Sequence, residues 1–350
     1  MIQLMRRTYF SILIMMFTLS IAAQNTVEGV SYYLPKTALR FVFLIEKTTF
    51  TPGDFAVYSE RYLRERATAE ASTSFRIIDT QLETFGVPDT SKTFTARMDK
   101  KVAISNIDKD DNGILIAVNA KGKKAEKRTP FRPSPKEKPL SPRDYLTQDV
   151  LAAGSTAKMA ELTALEIYDI RDSKSLLNKG QADFMPQDGK QLDIMLGNLD
   201  EQERALTQLF KGVTVKDTVE VEMTYMPDKE TAGDILFRMS SKLGIVDSDD
   251  LAGEPYYIRV EDLGITPSLN VSEEEKKDRE GSGVCVNLPG KIRVSLVKDG
   301  VTVKTYELYV AQFGYTEELA ASLFSHKMNT SLVLSPVTGN AETLETVPVK

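Results

Sequence analysis

The chain has 350 residues, with 50 acidic against 44 basic side chains, a formal net charge of −6, one cysteine, one histidine and no tryptophan. A net anion is a poor general nucleic-acid binder, a lone cysteine allows no internal disulfide, and a lone imidazole argues against multi-histidine zinc enzymes and Ser-His-Asp hydrolases. Stability must then come from burial, which a chain of this length can supply, divided most naturally into two domains.

Arg6 and Arg7 precede an apolar run from Tyr9 to Ile21 that ends at Ala22 and Ala23, before Gln24. This charged, apolar, small-residue order predicts a secretory signal peptide over residues 1–23, cleaved to leave a soluble periplasmic or secreted protein. The run is shorter than the roughly 20 residues a spanning helix needs, and Cys285 is far from the cut, so neither a transmembrane span nor a lipidated amino terminus is expected.

The remainder reads as a β-rich amino-terminal domain with one short helix (24–120), a basic proline-rich linker or loop (121–142), and a helical hairpin followed by an antiparallel β domain (143–350). Val27–Phe50 predicts two strands, the second around the apolar run Phe41–Ile45. Asp54 can cap a helix over Phe55–Arg66, whose Phe55, Tyr58, Tyr62 and Leu63 repeat at helical spacing as core. Strands follow at Phe75–Phe85 and Thr93–Arg97, with Gly86, Pro88 and Asp89 as the turn.

Two apolar strands, Val102–Ile107 and Ile114–Val118, flank Asp108, Asp110, Asn112 and Gly113. The order D-x-D-x-N-G matches the opening of a calcium loop, so Asp108, Asp110 and Asn112 are candidate calcium ligands. The twelfth position, however, is Asn119 instead of a bidentate Glu, and the flanks are strands, so a hairpin turn is the preferred reading. From Lys121 to Pro142, Lys121, Lys123, Lys124, Lys127, Arg128, Arg132, Lys136 and Lys138 alternate with Pro130, Pro133, Pro135 and Pro139. Proline precludes regular ladders, and this exposed cationic segment could contact an envelope protein or an anionic polymer.

Ser155 caps a predicted helix to about Leu177, before Gly180, with Ala160, Ala164, Ile167 and Ile170 on one face. A second segment carries Leu192, Met195, Leu196 and Leu199. Asp200 with Glu203 then has capping-box spacing and opens a run through Leu206, Leu209 and Phe210 to Gly212. The acidic outer face, Glu161, Glu166, Asp169, Asp172 and Glu201, reads as solvated.

From Val213 the period returns to two, through Tyr225. Further strands are predicted at Ile235–Met239, Tyr256–Val260, Val284–Asn287, Ile292–Lys298, Val301–Ala311 and Ser331–Leu334, with Asp299–Gly300 as a tight hairpin and Ser272–Gly283 as a loop. Cys285, between Val284 and Val286, reads as a small buried hydrophobe and His326 as a surface residue. The expected fold class is α+β, mostly antiparallel β as a sandwich or open barrel, with a helical hairpin insert.

Several phrases, Tyr32–Thr37, Tyr58–Leu63, Ala157–Arg171 leading to Pro186, Asp188 and Gly189, Leu209–Gly212, Phe313–Gly314, and Ser335, Pro336, Thr338 and Gly339, resemble those of a family of exported Bacteroidota proteins classed as a domain of unknown function. The resemblance spans nearly the whole chain after the leader and implies a Gram-negative envelope setting; it brings no catalytic residues with it. Asp217-Thr218-Val219 resembles the acceptor for periplasmic O-glycosylation in that phylum, or is an ordinary strand entry.

No nucleophile triad, metal cluster, phosphate-cradling glycine loop or cofactor fingerprint stands out. The sequence therefore predicts a cofactor-free, non-enzymatic envelope scaffold or binding module. The alternative is a carboxylate-dependent hydrolase acting on glycan or peptidoglycan, because that chemistry needs only two acidic residues. A third reading is an assembly partner that offers exposed sheet edges.

Overall fold

The computed structural model describes residues 29–98, 102–133, 140–264 and 283–349. The predicted leader, the predicted loop up to Ser282, and Pro135, Lys136, Lys138 and Pro139 of the basic segment lie outside the described residues.

Strand β1 (Gly29–Tyr32) leads into β2 (Pro35–Thr51). Proline suits the first position of a strand, where no ladder N–H is required. Leu39, Phe41, Phe43 and Ile45 bury one face of β2, as the strand period of two dictates. The predicted helix is shorter than its pattern: a 3-10 turn at Ala56–Tyr58 runs into α1 (Ser59–Leu63), which stops at Arg64 in the left-handed region (φ 61°).

Strand β3 (Ser72–Pro88) continues through Gly86, where a turn is predicted. β2 offers it a partner from Phe50↔Ser72 to Pro35↔Pro88, and at Gly86 a Cβ would stand 2.0 Å from the Pro336 carbonyl oxygen. The glycine is thus a close-approach residue, and the turn falls later, where Lys92 N donates to Asp89 O.

Next come β4 (Phe94–Arg97), β5 (Ile107–Lys109) and β6 (Leu115–Val118). Of the predicted strand Val102–Ile107, only Ile107 joins a ladder, as the start of β5. Before it the Asn119 amide takes the ladder's place, accepting from Ser105 N and Asn106 N and donating to the carbonyls of Ala103 and Thr330.

After α2 (Gln148–Leu151), α3 (Thr156–Lys179) begins at Ser155, whose hydroxyl accepts from Lys158 N at 3.3 Å, and ends at left-handed Gly180. α4 (Gly189–Lys211) is one helix, with no second start at Asp200. Asp188 caps it, accepting from Gln191 N at 2.8 Å, and Asp200 and Glu203 lie mid-helix, where they pair with Lys174 and Arg171 of α3. Phe55, Leu63, Ala160, Ile167, Leu206 and Phe210 share one cluster with Tyr58 and Tyr62 packed against it.

The last part is strands: β7 (Val213–Tyr225), β8 (Thr231–Ser240), β9 (Gly244–Val246), β10 (Glu254–Asp262), β11 (Val284–Lys298), β12 (Val301–Leu319), β13 (Met328–Leu334) and β14 (Ala341–Pro348). Asp299 and Gly300 both have positive φ (50° and 76°), as an Asp-Gly hairpin requires. The two strands predicted on either side of Leu288–Lys291 are the single strand β11, interrupted by a register shift between Leu288 and Gly290.

Among the described residues four antiparallel sheets result, ordered β1-β4, β12-β11-β10-β8-β9, β14-β13-β6-β5 and β3-β2-β7. The three-stranded sheet packs on the five-stranded one as a sandwich, its core holding Leu39, Phe41, Phe43 and Ile45 against Phe237, Ile258, Val294 and Leu296. The fold is α+β and mostly antiparallel β, with the helical hairpin at one side. Ladders join the chain before and after the proline-rich segment, because β7 pairs with β2 and β13 with β6.

Residues 121–133 form neither helix nor strand; Gly122 and Lys124 are held at the β5–β6 hairpin, and Arg128 and Phe131 reach carboxylates on the outward face of the three-stranded sheet. Arg128, with its side chain only 14% exposed, contacts Glu83 at 3.1 Å, Glu220 at 2.7 Å, and Glu222. These carboxylates stand opposite Arg40, Leu44 and Val42 in register, on the face away from the core. Phe131 N donates to the same Glu220 at 2.9 Å. The hydrogen bonds from Arg128 hold the Glu220 carboxyl below the ordinary glutamate value. A carboxyl depressed on folding adds stability above its unfolded pKa, and that stability is lost as pH falls through the depressed value. Arg128→Met should therefore cost about 1–3 kcal/mol at pH 7 in urea unfolding, and the difference from wild type should shrink as pH falls below the ordinary glutamate range.

Candidate functional site

Three sheets meet at the start of β2. Thr37 is fully buried there. Its hydroxyl donates to Val337 O at 3.0 Å and accepts from Ala311 N at 3.1 Å, while its backbone exchanges two hydrogen bonds of 2.9 Å with the Gln312 amide. Asn287 of β11 donates to Pro35 O and Thr338 O, each at 3.0 Å, and accepts from Thr316. Glycine permits the crowding. Gly314 passes so near Leu288 that a Cβ would stand 1.7 Å from its carbonyl oxygen, and Gly339, at φ +73°, abuts Pro35.

Above this floor opens a cavity of about 460 Å³ whose lining includes Lys36, Asp89, Lys92, Phe94, Asp228 and Tyr315. β2 brings Lys36, the turn after β3 brings Asp89 and Lys92, and the turn between β7 and β8 brings Asp228. Lys36 Nζ is 3.9 Å from one carboxylate oxygen of Asp89 and 3.9 Å from one of Asp228. Asp89 accepts from Ser91 Oγ at 2.6 Å and from Ser91 N at 3.2 Å. Burial pushes the Asp89 carboxyl up, but the two Ser91 hydrogen bonds and the ammonium groups of Lys36 and Lys92 outweigh it and hold the group below its ordinary value. Asp89 is thereby kept as an ionised acceptor.

A second, shallower hollow of about 400 Å³ lies between α3 and α4. Several of its charges are engaged internally, Glu203 with Arg171 at 2.6 Å and with Lys174, and Lys211 with Glu65.

The residues singled out in the sequence lie elsewhere. Asp108, Asp110 and Asn112 belong to the β5–β6 hairpin. Asp108 accepts from Gly122 N at 2.9 Å, and one oxygen of Asp110 accepts from both Asn112 N and Ile114 N. Among the described residues, no group of three or more His, Cys, Asp or Glu side chains is placed to hold a metal ion. In the basic segment Lys124 pairs with Asp111 at 2.6 Å and Arg128 is sequestered as described, whereas Lys121, Lys123, Lys127 and Arg132 are exposed. On the helices, Glu161 pairs with Lys158, and Glu201 accepts from Tyr145. Thr218 is half-buried in β7, opposite Glu46. Cys285 is half-buried; burial, with the charge of Glu318, pushes its thiol up to about 11, so it is a poor nucleophile at neutral pH. His326 is exposed in the turn before β13.

Sequence reasoning missed Lys36, Asp89 and Asp228 as a group, because three separate connections supply them. One signal was present: Tyr32–Thr37, Phe313–Gly314 and Ser335–Gly339, which read as separate family-like phrases, converge on this floor and cavity.

No helix among the described residues is long and apolar enough to cross a membrane. A family model described as a domain of unknown function (DUF4831) matches residues 28–342. Neither a curated protein nor a solved structure matches the chain.

The Thr37 hydroxyl serves two strands at once. Thr37→Val should leave a buried N–H and C=O without their partner and cost about 1–3 kcal/mol in urea unfolding, whereas Thr37→Ser, which retains the hydroxyl, should recover most of the loss.

Proposed function

The chain belongs to the DUF4831 family, and from that premise we propose that it is an exported envelope protein acting as a non-enzymatic binding module through the cavity above Thr37. The observation that carries this reading is a hydrogen-bonded floor beneath a mostly polar mouth, in which polar groups from three separate connections converge in one concavity, as they do where a small ligand is oriented.

The competing reading, a carboxylate-dependent glycan or peptidoglycan hydrolase, needs a proton donor held neutral in apolar surroundings. Among the described residues the carboxyls that this fold shifts, Glu46, Asp79, Asp89, Asp111, Glu203, Glu220 and Glu307, all move down. Down is the direction of acceptors and ion-pair partners.

Export rests on the leader pattern of residues 1–23. Amino-terminal sequencing of the protein from its native host should start at Gln24; a chain retaining Arg6 and Arg7 would refute export by this route.

Incubation with a mixture of envelope glycans and peptides should show saturation transfer to a small polar component without turnover. Ser91→Trp, which puts bulk at the mouth, should abolish that transfer. Reproducible hydrolysis, lost in Asp89→Asn, would instead establish the hydrolase.

A further inference from the structure

The geometry points to the vicinal diol of a carbohydrate as the group that this cavity takes, an inference that rests on the cavity being a binding site. Lys36 Nζ stands 3.9 Å from both Asp89 and Asp228. A charge-assisted N–H···O bond is about 2.7–2.9 Å long, so neither contact is a direct hydrogen bond. Each gap instead has the width that one bridging oxygen spans, at about 2.8 Å from either side. A hydroxyl is donor and acceptor at once: it accepts from the ammonium and donates to the carboxylate. Two such gaps share one ammonium, which calls for two hydroxyls of one molecule within reach of the same Nζ, and hydroxyls on adjacent carbons are the simplest pair to meet that demand.

The other ligand classes fit less well. A cationic group would compete with Lys36 for its two carboxylates, and an anionic group would meet those carboxylates beside the ammonium. Lys36 and Lys92 balance Asp89 and Asp228 in the lining, so the mouth itself offers no net charge to draw an ion. The amides below are already committed, Gln312 to Thr37 and Asn287 to Pro35, Thr338 and Thr316, which leaves recognition to the mouth. Phe94, whose ring stacks on Tyr32 at 5.8 Å between centres, and Tyr315 add aromatic surface to the same lining. A volume of about 460 Å³ lies within the range of small-ligand pockets and holds about one or two pyranose rings.

The test is a ligand-observed NMR titration of the intact protein. The probes are the methyl glycosides of glucose, mannose and galactose and their monodeoxy analogues, with glycylglycine and inorganic phosphate as the ionic alternatives. At least one glycoside should bind with a millimolar or tighter Kd. Removing either hydroxyl of its bound diol should weaken binding about tenfold or more, because the polar groups left behind lose their partner. Lys36→Met and Asp228→Asn should do the same without lowering Tm by more than a few degrees; both side chains are substantially exposed, at 37% and 64%. Binding of glycylglycine or phosphate but of no glycoside would overturn the diol and leave the binding reading standing. Glycoside binding indifferent to Lys36→Met and Asp228→Asn would overturn the assignment to this cavity. Silence from every probe would overturn both the diol and the binding reading.

Discussion

Strand β2 is hydrogen-bonded along both edges, to β3 over nearly its whole length and to β7 from Leu39 to Thr51. An antiparallel ladder on each side satisfies the main chain and leaves the side chains to do two different jobs. Odd positions from Leu39 to Ile45 enter the sandwich core, where Phe43 meets Phe237 edge-on at 4.6 Å between ring centres. On the opposite face Arg40 pairs with Glu83 and Glu222 and lies 4.5 Å over the Phe85 ring. A one-residue slip of β2 would exchange these faces, exposing the phenylalanines and burying the arginine. Register at β2 is therefore the constraint on which the other layers depend.

The same strand sets the position of the cavity. Its first residues run past the end of β7, still paired with β3 on the other edge, and are received by β12, β11 and the turn before β14 through the hydroxyl of Thr37 and the amides of Gln312 and Asn287. A buried polar network of this kind is stable only when every member is satisfied, and when it is satisfied it is stiff. The floor consequently holds Lys36 in place beside Asp89 and Asp228, although these carboxylates come from turns. Asp89 is itself held by the two hydrogen bonds from Ser91, so the groups around Lys36 are supported from below and from the side, as a preorganised site would need.

Away from the cavity, charge works differently. Arg128 meets three carboxylates at direct hydrogen-bonding range on the outward face of the sheet, and Glu203 is gripped by Arg171 and Lys174 between the long helices. Those clusters are closed on themselves and act as fasteners, the first tying an irregular segment to a sheet and the second tying helix to helix. Around Lys36 the corresponding distances are about an ångström longer, and the proposed binding site rests on that difference.

Local pattern alone determined a good part of this molecule. The period of two in β2 and β7, the Ser155 and Gly180 boundaries of α3, and the Asp299–Gly300 hairpin all depend on interactions within a few residues, so they are legible without the fold. Where the reading went astray, a distant partner had overruled local preference. Gly86 stays in its strand because β2 supplies ladder bonds and Pro336 needs the space; Val102–Asn106 leaves the ladder because the Asn119 side chain takes its hydrogen bonds; and Asp200 and Glu203, spaced like a helix start, serve a neighbouring helix. The cavity belongs wholly to that second class. Lys36, Asp89 and Asp228 are far apart in the chain with nothing periodic to link them, so their proximity is a product of sheet packing, which no local spacing encodes.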